Sequence, residues 1–372
     1  MTAPRLDVDL DLVTHNTRSL VDRLAPRGIR VTGVAKATLG SRDVAAAMVL
    51  GGASGIGDSR IENLARLRAA GAAAPLTLIR SPMLSQAERV VRTADVSLNT
   101  EAVVLAALST AALHQVVTHD VVLMVELGDL REGIATVDVV DLAGVVAALP
   151  GLRLAGLGTN LACRSGIVPD QDKMDQLSAL VELVEARVGR PLTIVTGGNS
   201  ANLDWALGTN DVGRIDELRL GESILLGTEP LHRQPIVGLR TDAFTLVAEV
   251  IEVQTKPAQA WGATGQNAFG DTPLRGGPGL VRQAIAAIGR QDVDPDGATP
   301  PDGMTVLAAS SDHLVLDVGD HDVAVGDEIS FRLDYSALVR AMTSPFVSTS
   351  RVTRPAIDPV PLDPVPLTGG AA

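Results

Sequence analysis

The sequence has little of what secreted, nucleic-acid-binding and membrane-spanning proteins are built from. Its 372 residues include one cysteine, Cys163, which excludes a disulfide within the chain and points to a reducing compartment. Acidic residues outnumber basic ones, 44 to 31, so the chain lacks the basic face that a phosphate backbone requires. Apolar runs stay short of a membrane span, and residues 1–10 lack the apolar core of a signal peptide. We therefore expect a cytoplasmic protein that binds neither nucleic acid nor membrane.

Common ligand-binding motifs are also missing. The sequence contains neither a Rossmann glycine fingerprint nor a Walker loop. Its six histidines are scattered and do not combine with Cys163 at metal-ligand spacing. We therefore predict no metal site.

Lysine is scarce, and one of the three lysines is unusual. Lys173 lies in a polar helical stretch and Lys256 precedes a proline, so both are predicted to be solvated. Lys36 instead ends a short apolar, β-prone run that starts at Val31. An amine held between apolar walls loses its hydration and is more easily deprotonated, as Schiff-base formation with a carbonyl requires. The alternative is a lysine at a strand end whose amine reaches out to water.

What the sequence does contain is a regular alternation of strand and helix patterns over residues 30–220. Eight short apolar segments are predicted strands, at about 30–36, 53–57, 76–80, 95–98, 120–127, 152–158, 192–196 and 217–220. Helical patterns separate them, at about 42–50, 60–70, 84–92, 101–112, 137–148, 171–188 and 200–207. Eight strands alternating with helices favour an α/β fold with an N-terminal (β/α)8 barrel of the TIM type. The alternative is an open doubly wound sheet.

The pattern changes after about residue 232. Long alternating segments at 244–253, 304–309, 313–318 and 328–333 predict strands separated by turns rich in Gly, Pro and Asp. We therefore predict a barrel domain over 1–232 and a C-terminal all-β domain over 233–353, with the first strand, 6–10, free to pair with the β domain. The proline-rich residues 354–372 cannot form a hydrogen-bonded ladder and are predicted to be a disordered tail.

Polar residues collect at the carboxyl ends of the predicted barrel strands, where this architecture carries its working residues. Lys36 ends the first strand. Polar segments lie at or after the ends of five further strands, the second, fifth, sixth, seventh and eighth, at 58–60, 128–133, 158–163, 197–200 and 218–222. We therefore expect one site at the mouth of the barrel.

Two of these segments have the character of a phosphate site. Gly197 and Gly198 precede Asn199 and Ser200 at a helix start, where bare N–H groups and a hydroxyl can bind phosphate. A plain helix cap is the alternative. Gly221 offers a second close backbone approach after the eighth strand, and loops after strands seven and eight commonly hold phosphate in this fold. With Lys36 across the barrel, these turns suggest a phosphorylated carbonyl cofactor, pyridoxal phosphate.

The order of several sequence blocks adds a family resemblance. The blocks are LDVDLDLVTHNTRSL, GVAKA, GDSRIENL, IRSPML, VELGDLREG, GTNLAC, GGNSANL, LRLGESILLG, NAFGDTPL, AAIGRQDVDPDG, ASSDHLVLDV and LDYSALVRAMTSPF. In order and spacing they resemble the alanine racemase superfamily of fold-type III pyridoxal-phosphate enzymes, and within it the ornithine racemase branch, over about residues 5–350. The resemblance implies a racemase that interconverts the L- and D-forms of ornithine or a related basic amino acid.

The resemblance also implies roles for individual residues. Lys36 matches the lysine that joins the cofactor as a Schiff base and serves as one proton-transfer base. Ser200 and Gly221 match positions that hold the phosphate, and we include their neighbours Asn199 and Glu222 among the cofactor-binding residues. Arg219 matches the arginine that bonds the pyridine nitrogen; its permanent charge would keep that nitrogen unprotonated.

Substrate contacts follow from the same comparison. Arg131 matches an arginine near the substrate carboxylate, and Asn160 stands where alanine racemases have histidine. Asp312 lies in a β-domain segment that reaches the partner subunit's site in relatives. The ammonium at the end of a basic substrate side chain would pair with a carboxylate. The candidates are Asp58, Asp129, Glu132 and Glu222.

The sequence departs from the family at the second proton-transfer group. Alanine racemases use a tyrosine of the partner's β domain there, and this chain has Arg290 at that position. The single tyrosine, Tyr335, lies elsewhere in the sequence, and Leu39 replaces an aromatic phosphate contact expected near Lys36.

Racemisation needs one proton removed on one face and another delivered on the opposite face. For the second group we consider Cys163, His313 and Asp292, with Cys163 and His313 as the predicted catalytic partners of Lys36.

Two other functions fit the resemblance. A non-catalytic pyridoxal-phosphate carrier would explain the missing tyrosine but would not need the β domain. A D-amino-acid lyase would share the fold but usually needs a divalent metal. The resemblance also implies a head-to-tail homodimer in which each β domain closes the other subunit's barrel.

Overall fold

The computed structural model of this chain describes residues 2–209, 211–270 and 277–353. The chain opens with a strand, β1 (Arg5–Asp9), that belongs to the C-terminal sheet. It continues into a closed parallel barrel and returns to that sheet after residue 243. The predicted fold class is confirmed. The division between residues 232 and 233 remains a proposal, and the predicted disordered tail, 354–372, lies outside the described residues.

Eight parallel strands form the barrel, and each pairs with the next until the last pairs with the first. The strands are β2 (Arg30–Val34), β3 (Gly55–Asp58), β4 (Leu76–Leu78), β5 (Val96–Asn99), β6 (His119–Val125), β7 (Leu152–Thr159), β8 (Ile194–Thr196) and β9 (Glu217–Leu220). The helices around them are α1 (Leu10–Leu24), α2 (Arg42–Leu50), α3 (Ile61–Ala69), α4 (Ala87–Thr93), α5 (Ala102–Gln115), α6 (Val139–Ala148), α7 (Gln171–Val188), α8 (Leu203–Gly208) and α9 (Glu222–Leu226). The strands and helices predicted for residues 30–220 are therefore confirmed.

The side chains of a barrel strand alternate between the interior and the helix layer, and β6 shows both sides. Leu123 and Val125 belong to the main core between strands and helices. Val122 and Met124 belong to a separate small cluster with Leu98, which fills one side of the barrel interior. The other side of the interior is polar, and that side carries the site described below.

The C-terminal sheet is antiparallel apart from one parallel pair, β1 with β16. Its further elements are β10 (Phe244–Pro257), β11 (Leu280–Ala286), β12 (Ala298–Thr299), β13 (Thr305–Ala309), β14 (Leu314–Asp317), β15 (Glu328–Leu333), the helix α10 (Tyr335–Thr343) and β16 (Ser348–Val352). The pattern predicted β10, β13, β14 and β15 and did not predict the others.

Helix α10 is the addition that matters for the site. Asp334 caps it by accepting a hydrogen bond from the Ala337 N–H at 2.8 Å. Leu338 and Ala341 are buried on its inner face. The helix packs against the short 3-10 turn that starts at Lys36, so the C-terminal domain reaches the barrel mouth of its own chain. Among the described helices, none is both long and apolar enough to cross a membrane.

Candidate active site

A cavity of about 540 Å³ opens at the carboxyl ends of the barrel strands. It is the place where nine of the predicted site residues meet: Lys36, Arg131, Asn160, Cys163, Asn199, Ser200, Arg219, Gly221 and Glu222. Asp312, His313 and Asp292, which lie in the C-terminal domain, are not among the residues that line it. Four polar residues that were not predicted as site residues also line the cavity: Ser59, Arg80, Arg233 and Tyr335.

Lys36 enters the cavity from the turn that follows β2. The turn is anchored because the Thr38 hydroxyl donates to the Ala35 carbonyl at 3.0 Å, and both residues are buried. Lys36 itself is half-buried, and within the described part of the chain its amine has no hydrogen bond or ion pair. Its Nζ lies 5.8 Å from the ring centroid of Tyr335. The amine is thus held against an aromatic wall with its bonding capacity unused.

Tyr335 corrects the sequence interpretation, which gave the single tyrosine no part in the site. As the first residue of α10 it is brought to Lys36 by the C-terminal domain, whose strand β10 starts only at Phe244. Burial raises the pKa of Tyr335, and the nearby carboxylate of Glu222 raises it further. Its hydroxyl therefore stays protonated at neutral pH and is available as a hydrogen-bond donor. The Asp334 cap before an amphipathic segment was the signal that could have revealed this helix start.

The predicted phosphate turn has a backbone that only glycine fits well. Gly198 has φ +142°, and a Cβ there would lie 2.1 Å from Oδ1 of Asn202. Asn202 in turn donates to the Gly197 carbonyl at 2.9 Å. Ser200 is buried, and its Oγ lies 2.9 Å from the Ser223 hydroxyl. This last contact ties the turn after β8 to the start of α9.

Gly221 brings the second turn against β2. A Cβ at Gly221 would approach Cβ of Val34 to 3.2 Å, so the backbone passes close to the strand that leads to Lys36. Ser200 and Gly221 therefore lie side by side on the cavity wall, as an anion cradle requires.

Asn199 connects this turn to the segment after β7. Its Nδ2 is 2.8 Å from the Leu161 carbonyl, 3.1 Å from Oδ1 of Asn160 and 3.4 Å from Sγ of Cys163. Its Oδ1 accepts from the Ala201 N–H. The Asn199 side chain is thus occupied in positioning its neighbours, and its predicted contact to a cofactor stays a prediction.

Arg219 is buried in the polar half of the barrel interior. Its guanidinium donates to the Thr159 carbonyl at 2.8 Å, to the Thr196 hydroxyl, and to Oδ1 of Asn160 at 3.5 Å. The amide nitrogen of Asn160 is buried and makes no hydrogen bond within the described residues. Glu217, buried two residues earlier on β9, faces the same interior. Burial raises the pKa of Glu217, while the charge of Arg219 opposes that shift.

Two ion pairs lie on the cavity wall, Arg131 with Glu132 and Arg233 with Glu222. Glu132 occupies the Nε–Nη2 edge of Arg131, so that edge is engaged before any ligand binds. Glu222 is mostly buried, and burial raises its pKa.

The structure narrows the choice of carboxylate for a distal ammonium. Asp129 is buried and accepts from the N–H groups of Arg164 and Ser165, so it fixes the loop after β7. Asp58 is buried outside the cavity lining and accepts from the Arg60 N–H. Glu132 and Glu222 line the cavity and are therefore the better placed pair.

Asp58 gives a pH-dependent prediction. Burial raises its pKa from 3.8 to about 6, although Asn63 donates to both of its oxygens at 3.0 Å. A carboxyl whose pKa is raised on folding stabilises the fold below its ordinary pKa, and that stabilisation is lost as pH rises through about 6. Between pH 4 and pH 7 the wild type should therefore lose roughly 3 kcal/mol of unfolding free energy relative to Asp58→Asn. Denaturant unfolding of both proteins at several pH values measures this; a difference that stays constant with pH contradicts it.

The charges of the cavity favour an anionic guest. Its wall carries five cations and two carboxylates: Lys36, Arg80, Arg131, Arg219 and Arg233 against Glu132 and Glu222. A phosphate monoester and a carboxylate together would balance this excess. The cradle of Ser200 and Gly221, the free amine of Lys36 and the orphaned amide of Asn160 fit a phosphorylated carbonyl compound.

Comparison with known proteins agrees with this site. Residues 8–230 match the family described as "Alanine racemase, N-terminal domain". The chain is 37% identical to the lysine racemase of Thermotoga maritima over 360 residues, which cover 96% of this chain and 100% of that protein. The chain belongs to the alanine racemase family. It is also 34% identical to the ornithine racemase of Acetoanaerobium sticklandii over 352 residues, covering 92% of this chain and 98% of that one.

The fold of this alanine racemase family member matches solved structures as well. The alanine racemase from D-cycloserine-producing Streptomyces lavendulae superposes with a TM-score of 0.75 at 20% identity, covering 95% of this chain and 98% of that one. Enzymes of this family depend on pyridoxal phosphate, so the predicted cofactor is confirmed.

The two positions at which the sequence departs from the family pattern, Arg290 and Leu39, both lie away from the cavity lining. Arg290 lies in the C-terminal domain with its guanidinium carbon 5.2 Å from the ring centroid of Phe269. Its Nε is buried and without a hydrogen-bond partner among the described residues. Leu39 has φ +53°, is part-exposed and does not line the cavity. The aromatic residue that lies beside Lys36 is Tyr335.

Proposed function

We propose that this protein is a pyridoxal-phosphate-dependent racemase that interconverts the L- and D-forms of ornithine or a related basic amino acid. The observation that carries the proposal is one cavity in which Lys36 faces the cradle of Ser200 and Gly221, with Arg219 buried in the same wall. A lysine racemase and an ornithine racemase are two of the relatives that match most of the chain. No observation favours a carrier or a lyase over this activity.

Bound pyridoxal phosphate supplies an electron-withdrawing carbonyl system that makes the Cα proton of an attached amino acid acidic. The chain's own residues then determine where that proton goes. Ser200 and the backbone at Gly221 would hold its phosphate, on the wall of the cavity that Lys36 also lines. Nζ of Lys36 moves the proton on its own face of Cα. Arg219, with a permanent charge and two threonine contacts, holds the ring nitrogen's position without donating a proton to the ring.

The opposite face needs a second group, and three candidates differ in placement. Cys163 lines the cavity, and Asn199 positions its Sγ. His313 lies outside the cavity of its own chain, with Nδ1 2.8 Å from Oδ1 of the part-exposed Asp312. Asp292 is buried and accepts from the Ser344 hydroxyl at 2.6 Å, which engages it inside its own domain. We therefore propose Cys163 if one subunit supplies both groups, and His313 with Asp312 if the partner subunit supplies the second.

Isotope exchange separates these roles. In D₂O, Cys163→Ala should lose racemisation by roughly 100-fold or more, as expected for removal of a general acid or base. The variant should still exchange the Cα proton of the enantiomer whose proton faces Lys36. NMR measures exchange, and chiral chromatography measures racemisation. His313→Ala is the matched test of the alternative, and Ser336→Ala, at an exposed residue of α10, is the control. If Cys163→Ala and His313→Ala both racemise at the wild-type rate, neither residue is the second proton-transfer group.

The proposed substrate side chain follows from the carboxylates on the cavity wall. Glu132 and Glu222 are the carboxylates that face the cavity, and each is already paired with an arginine. A distal ammonium can join the arginine as a second partner of either carboxylate, so the charge of a basic side chain would lie beside an opposite charge. We test the activity by chiral chromatography of L-ornithine, L-lysine and L-alanine with the purified holoenzyme. If the enzyme forms no D-enantiomer from any of these three amino acids, the proposed function is refuted.

We also propose a head-to-tail homodimer in the cytoplasm. The part-exposed Asp312–His313 pair, lying outside the chain's own cavity, supports a dimer in which it reaches the partner's site. The free, exposed Cys163 suits a reducing compartment. Sedimentation at micromolar concentration tests the assembly, and a monomer under those conditions contradicts it.

A further inference from the structure

Arg80 is the cavity residue whose charge the proposed mechanism leaves unused. It follows β4 and lies on the cavity wall, half-buried. Within the described residues it makes no hydrogen bond and no ion pair. The other cavity arginines are each engaged: Arg131 by Glu132, Arg233 by Glu222, and Arg219 by Thr159 and Thr196.

An arginine in that position is suited to a ligand rather than to the fold. A guanidinium has five N–H donors in a planar fork, and two parallel donors match the two oxygens of a carboxylate. Holding such a group half-buried beside Lys36, Arg131 and Arg219 is unfavourable unless an anion joins them. The fold gains no bond from Arg80, so an anionic guest is what gives this side chain a partner.

The position of Arg80 selects among the anions expected in the cavity. The phosphate cradle belongs to β8 and β9, and in the strand order of the barrel β4 lies across from β8. β4 is two strands from β2, which leads to Lys36, and two strands from β6, which precedes Arg131. Arg80 therefore lies on the arc between Lys36 and Arg131, on the side away from the phosphate.

We propose that Arg80 receives the α-carboxylate of the amino-acid substrate through a two-bond fork and so orients the Cα–H bond toward Lys36. Arg131 fits this role less well because Glu132 already occupies its Nε–Nη2 edge. Arg80 is a positioning residue, since it holds the carboxylate and exchanges no proton. This inference rests on the proposed function for the identity of the substrate.

A pair of ligands that differ only in the carboxylate tests the assignment. L-Ornithine and 1,4-diaminobutane share both amines, and only ornithine carries the carboxylate. Binding to the holoenzyme is followed by the change in its visible absorbance, for wild type, Arg80→Gln, Arg80→Lys and Arg131→Gln. Arg89→Gln, which alters an arginine paired with Glu62 on the exposed face of α4, is the matched control.

Arg80→Gln should weaken ornithine binding by roughly 10- to 100-fold, the range for a charge-assisted pair of hydrogen bonds. The affinity of this variant for the diamine should stay within about 3-fold of the wild-type value, because the diamine has no carboxylate to accept the two hydrogen bonds. Arg80→Lys should recover part of the ornithine affinity, since a point charge replaces the fork. KM for ornithine should rise more than kcat falls, and Arg89→Gln should match the wild type.

Three results overturn the proposal. The first is an equal loss for both ligands in Arg80→Gln, which indicates a structural role. The second is no loss for ornithine in that variant. The third is a carboxylate-specific loss in Arg131→Gln alone, which assigns the fork to Arg131. Failure of the proposed function is seen separately, because wild type would then not racemise ornithine; a wild type that binds neither ligand refutes both statements.

Discussion

Replacing Lys36 with alanine is expected to abolish racemisation, by roughly 10⁴-fold or more, and to remove the visible absorbance of bound cofactor. The variant loses two functions of one amine, the covalent attachment of the cofactor and the proton transfer on its face of Cα. The alanine side chain also places no cation near the Tyr335 ring, whose centroid lies 5.8 Å from Nζ of Lys36 in the wild type. Dialysis against pyridoxal phosphate followed by absorbance spectroscopy and chiral chromatography measures both effects.

The matched control for this variant is Lys173→Ala. Lys173 also carries one ammonium, but it is paired with Asp170 at the start of α7, outside the cavity. The Lys173→Ala variant should keep full activity and the full visible absorbance, since an exposed ion pair of this kind contributes at most about 1 kcal/mol to stability. If Lys36→Ala keeps the absorbance, the assignment of the cofactor lysine is wrong. If it loses absorbance and keeps racemisation, the reaction does not depend on that amine.

Arg219→Gln is expected to destabilise the protein by about 3–5 kcal/mol at pH 8, because it leaves the carboxylate of Glu217 buried without its counter-charge. Glu217 is buried in the barrel interior, where the charge of Arg219 is the largest influence that lowers its pKa and Thr32 is a smaller one. Burial raises the pKa of Glu217, and removing Arg219 removes the main force that lowers it. Folding of the variant then requires Glu217 to take up a proton, so the loss of stability should shrink at pH 5.

A second substitution makes this test decisive. Glu217→Gln in the Arg219→Gln background should restore most of the lost unfolding free energy, since no charge is then buried. Arg214→Gln, which breaks the surface pair with Glu185, is the matched control and should cost no more than about 1 kcal/mol. Denaturant unfolding at both pH values measures all four proteins. If the double variant is as unstable as Arg219→Gln, the coupling between the two charges is absent.

The barrel could be predicted from the sequence because its signals are local. Each strand is a short apolar run followed by a helix with its own start, such as the Ser41 cap of α2 and the Asp170 cap of α7. The C-terminal domain was harder to predict. β12 has two residues and β11 carries Arg282 and Gln283 within its seven, so neither shows a clear alternation. Such strands form because a partner strand is already in place, which a single-sequence pattern does not show.

The order of residues along the chain was enough to predict the fold class and to predict that Lys36, Ser200 and Gly221 meet at the barrel mouth, where they line one cavity. Those features depend on residues that are neighbours in sequence or that follow successive strands at the same end of a barrel. The tertiary structure decided the rest of the site: Tyr335 beside Lys36, Asp58 and Asp129 bonded away from the cavity, and Arg80 without a partner among the residues that the structure describes. The physical reason is that a side chain's partners are set by which segments meet in space, and segments far apart in the chain meet only when the barrel closes and α10 packs over its mouth.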